Sequence, residues 1–513
     1  MREAVVPDHE VVIVGAGFSG IGFAIKLSEA GFADWVILDD ASGPGGTWHW
    51  NTYPGVAVDI PSFSYQFSFE KLPDWTRTYA PGRELKAYAE RCVDKYGLRR
   101  NIRFNTLVER ADWDEAANLW RLGIADGTEI TARYVVNASG VLTRPKMPDI
   151  PGVDTFGGIT MHTSRWDHSK NVRGKRVGII GTGASAVQVI PEIAPDVEHL
   201  TVFQRTPIWC LPKLDLPMPG PAQWLLGHLP GGQQATRLVS QAFVELTFPL
   251  AAHYHGVLPA ASGLEKMLLR YLRSQVDDPV VREKLTPRYA LGCKRPSFHN
   301  TYLSTFNRDN VHLETESITH VSESAVHTAD GAAHEIDVLI LATGFKVMES
   351  GNMPTYSLRG KDGLLLEEWW DTNRLQAFHG ISVPQFPNHF SIMGPYAYNG
   401  SSYFALIESQ TAHILRCLKQ ARKRKANYIE VTRSAHDAFF AEMLSRRGNQ
   451  VFWQDSCVLA NSYYFDKHGD VPLRPSTPVE SAVRSRRFNL NAYRFEARAA
   501  TVGAVSGYST SER

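Results

Sequence analysis

The sequence is poor in cysteine. Its five cysteines, Cys92, Cys210, Cys293, Cys417 and Cys457, stand far apart in 513 residues, with neither a CxxC nor a CxxxxC spacing. That excludes zinc-ribbon ligation and the redox-active pair of disulfide reductases. The odd count, without an apolar leader at the amino terminus, points to a reducing cytoplasm. An excess of one charge is also missing: 54 basic against 53 acidic residues leave a formal net charge of +1. Such a chain has no global field to attract nucleic acid or an anionic membrane, so the expected partner is a small molecule. No apolar run is long enough to span a bilayer. The most apolar piece, residues 243–261, is broken by Glu245, Pro249, His253, His255 and Pro259, and reads as a buried or channel-lining helical segment with loose membrane contact left open.

The length predicts two or three domains. Near the start, the β-branched run Val11 to Val14 leads into Gly15-Ala16-Gly17-Phe18-Ser19-Gly20, a GxGxxG loop. An apolar helical face (Ile21, Phe23, Ala24, Ile25, Leu27) follows, then a second strand, Trp35 to Leu38, ending at Asp39. In this strand, loop, helix, strand, acid order, Gly15 permits the turn, Gly17 admits a pyrophosphate and Gly20 allows close helix packing. Asp39 can accept from a ribose, with Asp40 as its rival.

A second unit begins at Val177 to Ile180 and continues into Gly181-Thr182-Gly183-Ala184-Ser185-Ala186. Ala186 replaces the third glycine, whose position limits only helix packing. The following strand, Leu200 to Phe203, ends in Gln204-Arg205-Thr206 where the first unit had an acid. Arg205 can pair with the 2'-phosphate of NADP and Thr206 can add a hydroxyl, which favours NADPH over NADH. The fold class is therefore α/β, with two Rossmann-like dinucleotide-binding domains. Glycine loops then cease, and helical periodicity over 209–288 indicates a helical insertion. Beyond it, Asp337 to Phe345 reads as a buried strand and Tyr403 to Lys425 as a long helix whose four terminal cations suit its dipole.

Between the two loops lies Phe156-x-Gly158-xxx-His162-xxx-Trp166-Asp167. This stretch resembles the fingerprint of the type I Baeyer-Villiger monooxygenases, flavoenzymes that insert one oxygen atom of O2 beside a ketone carbonyl. Further segments are similar to that family: Gly45-Gly46-Thr47-Trp48 with Asp59 and Tyr65, the pair Lys294-Arg295, and the closing Ser462-Tyr463-Tyr464. The resemblance implies FAD as first cofactor, with Gly46, Thr47, Trp48 and Tyr65 along the flavin, and NADPH as reductant. It implies Arg295 over the flavin, held by Asp59, and Lys294 on the NADP phosphate. It places Tyr463 where many relatives carry a tryptophan near the nicotinamide, and gives His162 and Trp166 a role in coupling the domains. The implied reaction converts a ketone to an ester or lactone through a C4a-peroxyflavin and a Criegee adduct. A flavin monooxygenase hydroxylating nitrogen or sulfur is the alternative, and leaves Arg295 without a purpose. The resulting division is 1–145 for the FAD domain, 146–208 for the linker and first NADP part, and 209–288 for the insertion. The second NADP part takes 289–335, the second FAD part with the carboxyl segment 336–500, and a disordered tail 501–513.

Overall fold

The computed structural model describes residues 6–246, 252–253, 261–347, 349 and 351–499. Its first layer is an eight-stranded sheet centred on His9–Val14, which pairs in parallel with Trp35–Leu38 on one side and Glu129–Asn137 on the other. Val11, Val12 and Ile13 are fully buried, as expected of a central strand covered on both faces. The chain returns to this sheet late, adding Ser357–Arg359 at one edge and His389–Ser391 beside Glu129–Asn137. Helix Phe18–Glu29 packs against the long helix Tyr403–Arg424. The cationic end of that long helix is used locally: Arg422 pairs with Glu10 and donates to the Gly31 carbonyl, and Lys425 takes the left-handed cap at φ 53°.

The second layer is an all-parallel sheet in the order Val311–Glu314, His199–Phe203, Arg176–Ile180, Val338–Leu341, Ile159–His162. One boundary in the sequence reading is corrected here. The strand Val338–Leu341, expected to open the second part of the first domain, lies inside this second sheet, between Arg176–Ile180 and Ile159–His162. A four-residue apolar run fits either sheet equally well, and only the pairing decides. The crossing back follows it, at Ala342 to Phe345, where Phe345 bridges to Pro145.

The insertion is closed at its base by Cys210–Leu211 pairing with Ser297–Phe298. Its described helices are Gly220–His228, Gly232–Leu246, Ala261–Gln275 and Pro279–Leu285. Among the described residues, no helix is long and apolar enough to cross a membrane. The burial expected of residues 243–261 holds for Val244, Ala252 and His253, but Phe243 and Leu246 face solvent. On the inner side of their helix Val244 joins the core and Ser240 and Arg237 make polar contacts. Residues 247–251 and 254–260, and the tail 501–513, lie outside the described residues.

Candidate active site

The first glycine loop makes a sleeve walled by backbone. Gly15 has φ +111°, and a Cβ there would stand 2.7 Å from the Ala138 carbonyl oxygen; one on Gly46 would stand 2.9 Å from Gly17 Cα. Gly15 and Gly46 thus let backbone close on backbone beside a narrow cleft lined also by Phe18, Ser19, Asp39, Thr47, Trp48 and Tyr65. Ser19 Oγ and the Tyr403 hydroxyl are 2.6 Å apart, fastening the loop to the late helix. Phe18 turns into an aromatic cluster, 4.7 Å from Phe404, while Gly20 packs so tightly that a Cβ would strike the Gly15 carbonyl at 1.9 Å. The Asp39 carboxylate accepts from the backbone N–H of Ala16 and, at 2.8 Å, from that of Ala41. Burial raises its pKa to about 6 against those two bonds. Asp39 thus shapes the loop with part of its four-site accepting capacity, and the exposed Asp40 lines the same cleft. Trp48 donates to the Tyr65 hydroxyl at 3.3 Å, setting the two rings edge to face.

The second loop repeats the design. Gly181 has φ +116° and a Cβ there would stand 2.5 Å from the Ala342 carbonyl oxygen, whereas Gly183 faces open space. Ala186 is fully buried in the helix seat. Thr182 donates to the Thr206 carbonyl, and the Thr206 hydroxyl accepts from Asn461 Nδ2 at 2.8 Å, leaving its own proton to donate. Arg205 lies at the rim, with Ser185 on the same wall. Burial, and then the positive charge of Arg205, lower the Lys294 pKa to about 8. Two cations held close enough to repel make a site that an anion would relieve.

The second loop opens into a cleft of about 2020 Å³ that Asp59, Lys294, Arg295, Tyr398 and Tyr463 line, and Thr47, Trp48 and Tyr65 border both this cleft and that of the first loop. Arg295 grips Asp59 with two bonds, Nε to Oδ2 at 2.9 Å and Nη2 to Oδ1 at 2.8 Å, and its Nη1 donates to the Tyr398 hydroxyl at 3.3 Å. Burial alone would lower the guanidinium's pKa; the Asp59 carboxylate offsets this and holds it well above its ordinary value. Tyr463, against the neighbouring Tyr464 ring at 4.7 Å, is 40% exposed toward this cleft.

Cys293, next to Lys294, forms a disulfide with Cys457, six residues before Tyr463, a pair that the reading of a reducing cytoplasm did not anticipate. Cys92, Cys210 and Cys417 are free and buried. A separation of 164 residues hid the pairing, because spacing alone identifies only local pairs.

The fingerprint residues are structural neighbours of the cleft. Phe156 covers Gly158, where a Cβ would stand 2.4 Å from the Asp337 carbonyl oxygen. His162 Nδ1 accepts from the Ser164 N–H and caps a short turn; burial first, and then Arg165, lower its pKa to about 4, so it is neutral. Trp166 is buried in the core of the second sheet. Asp167 accepts from Ser169 on the surface. The segment reaches the first domain through residues that the sequence reading missed: the Arg165 guanidinium stacks 3.8 Å from the Trp50 ring centre, and His168 meets Thr52 at 2.9 Å. Tyr398 and Asn461 were missed as well, since neither belongs to a motif.

Residues 12–214 match the pyridine nucleotide-disulphide oxidoreductase family. The cysteines in that span, Cys92 and Cys210, are unpaired, so the likeness concerns the dinucleotide scaffold. Over 493 residues the chain is 36% identical to a Baeyer-Villiger monooxygenase of Streptomyces coelicolor, covering 95% of this chain and 93% of that protein. Cyclohexanone monooxygenase from Rhodococcus sp. Phi1 bound to NADP+ superposes with a TM-score of 0.84 at 30% identity, over 96% of this chain and 100% of that one. OTEMO in complex with FAD and NADP gives 0.84 at 27% identity, with the same coverage.

Proposed function

Because the chain belongs to the Baeyer-Villiger monooxygenase family, we propose that it is an NADPH-dependent flavoprotein that uses O2 to convert a ketone into an ester or lactone. The observation that carries this reading is the Arg295–Asp59 pair, which lines the large cleft together with the second glycine loop and with Trp48 and Tyr65, residues shared with the first cleft. FAD suits the first cleft, where Gly15 and Gly46 leave no room for a Cβ; Gly15, Gly17, Gly46 and Asp39 would hold it, with Trp48 and Tyr65 alongside the ring. NADPH suits the second, with Gly181 and Gly183 at the pyrophosphate and Lys294 and Arg205 neutralising the 2'-phosphate. When bound, the flavin supplies hydride acceptance and activation of O2.

The chain's own groups account for the rest. Arg295 stays cationic throughout the working pH range and so stabilises negative charge that develops on oxygen beside the reacting carbonyl. Asp59 fixes the plane of the guanidinium, leaving Nη1 for Tyr398 and the cleft. No general base is required at this position, and His162, neutral and occupied by Ser164, offers none. A cytoplasmic location, where NADPH is supplied, is part of the same proposal. There the Cys293–Cys457 bond would be shielded from thiols by burial of both residues. The test is a panel of ketones and thioethers scored by mass gain of one oxygen. Turnover of ketones is expected; thioether oxidation with no ketone turnover would overturn the reading.

A further inference from the structure

The insertion turns its apolar side outward. In helix Gly232–Leu246, Leu238, Val239, Phe243 and Leu246 form a stripe at helical spacing and are exposed by 72, 70, 41 and 69%. The opposite side faces the protein, where Val244 is buried in the core and the remaining contacts are largely polar. Ser240 bonds Ser64, Arg237 donates to the Gln66 carbonyl, and Glu245 accepts from Gln241 and Ser401. A surface helix in water has the reverse arrangement. The adjoining helix, Gly220–His228, adds Trp224 and Leu225, exposed by 63 and 53%.

Charge distinguishes the possible occupants. Residues 216–264 contain two formal charges, Arg237 and Glu245, and both are among the inward contacts just described. A protein partner, including a second copy, ordinarily adds a polar rim and about one hydrogen bond per 100–200 Å². An outward stripe without ionised groups, next to an exposed tryptophan, suits the acyl and headgroup boundary of a bilayer, where indoles concentrate. We propose that this insertion seats the protein on a lipid surface, with helix Gly232–Leu246 lying in the membrane plane and its apolar stripe among the acyl chains. The inner side of the same helix meets Ser401, three residues from Tyr398 at the Arg295 cleft. Given the proposed activity, ketones dissolved in lipid would reach that cleft across one helix.

The test uses the full-length flavoprotein and vesicles of neutral phosphatidylcholine. The wild-type protein is expected to sediment with the vesicles, with little effect of high salt, because no basic patch contributes. The double variant Leu238→Glu/Leu246→Glu should bind about tenfold or more weakly for each leucine removed from lipid, with an unchanged melting temperature. Failure of the wild-type protein to sediment, or equal sedimentation of the variant, overturns the proposal. So does a solution dimer that the double variant converts to monomer, which would assign the stripe to a second copy. Failure of ketone turnover with intact vesicle binding would remove only the reading of the catalytic cleft.

Discussion

Asp59 and Arg295, 236 residues apart in the chain, meet through two parallel hydrogen bonds in the large cleft that the second glycine loop also lines. The first comes from a loop following the initial dinucleotide unit, the second from the exit of the insertion. Their pairing therefore reports that both domains and the insertion have closed around one cavity. Replacing Arg295 by alanine should leave flavin bound, as judged by its visible absorption, while ester formation falls about 10²- to 10³-fold. Full oxygenation by this variant would remove Arg295 from the chemistry.

Tyr398 contacts the same guanidinium from the other side. Tyr398→Phe removes one bond to a charged group, so kcat should fall roughly tenfold. The KM for NADPH should change little, because among the described residues the Tyr398 side chain hydrogen-bonds only Arg295. Steady-state kinetics with saturating ketone separates the two parameters.

Lys294 gives the cofactor site a pH dependence with a definite sign. Its pKa is lowered to about 8 in the free protein, so it is protonated below pH 8 and loses its charge above. Binding of the 2'-phosphate favours the charged form, and above pH 8 must take up a proton. The KM for NADPH should therefore rise as pH increases through 8, by up to about tenfold per unit. Lys294→Met should abolish that rise and weaken NADPH binding at pH 7. Arg205→Glu should erode the preference for NADPH over NADH; an unchanged preference would count against the site.

Gly158 has no room for a side chain, since its Cβ would stand 2.4 Å from the Asp337 carbonyl oxygen and closer than 3 Å to the Phe156 ring. Gly158→Ala should cost about 1–3 kcal/mol through forced displacement, read as a lower melting temperature. The flavin spectrum of the folded fraction should be unaltered.

The Cys293–Cys457 bond is checked by counting thiols. Alkylation of the unfolded, unreduced chain should label three cysteines, Cys92, Cys210 and Cys417, and labelling should reach five after reduction. Five labels without reduction would show that the bridge is not formed.

The linear order of residues by itself determined both dinucleotide units. Their strands, glycine loops and following helices are contiguous, so the glycine spacing and the apolar runs beside it are local properties, whereas the backbones that crowd Gly15 and Gly181, at Ala138 and Ala342, come from distant parts of the chain. The expectation of a phosphate-bearing reductant was legible in the same way, because Arg205 stands two residues beyond the strand His199–Phe203. Tertiary structure alone decided which sheet receives Val338–Leu341, since an all-apolar strand carries no mark of its partner. It also decided that Cys293 reaches Cys457, that Tyr398 touches Arg295, and that the stripe on Gly232–Leu246 faces outward. Each of these depends on which distant surfaces meet, and periodicity defines an apolar face without specifying what lies against it.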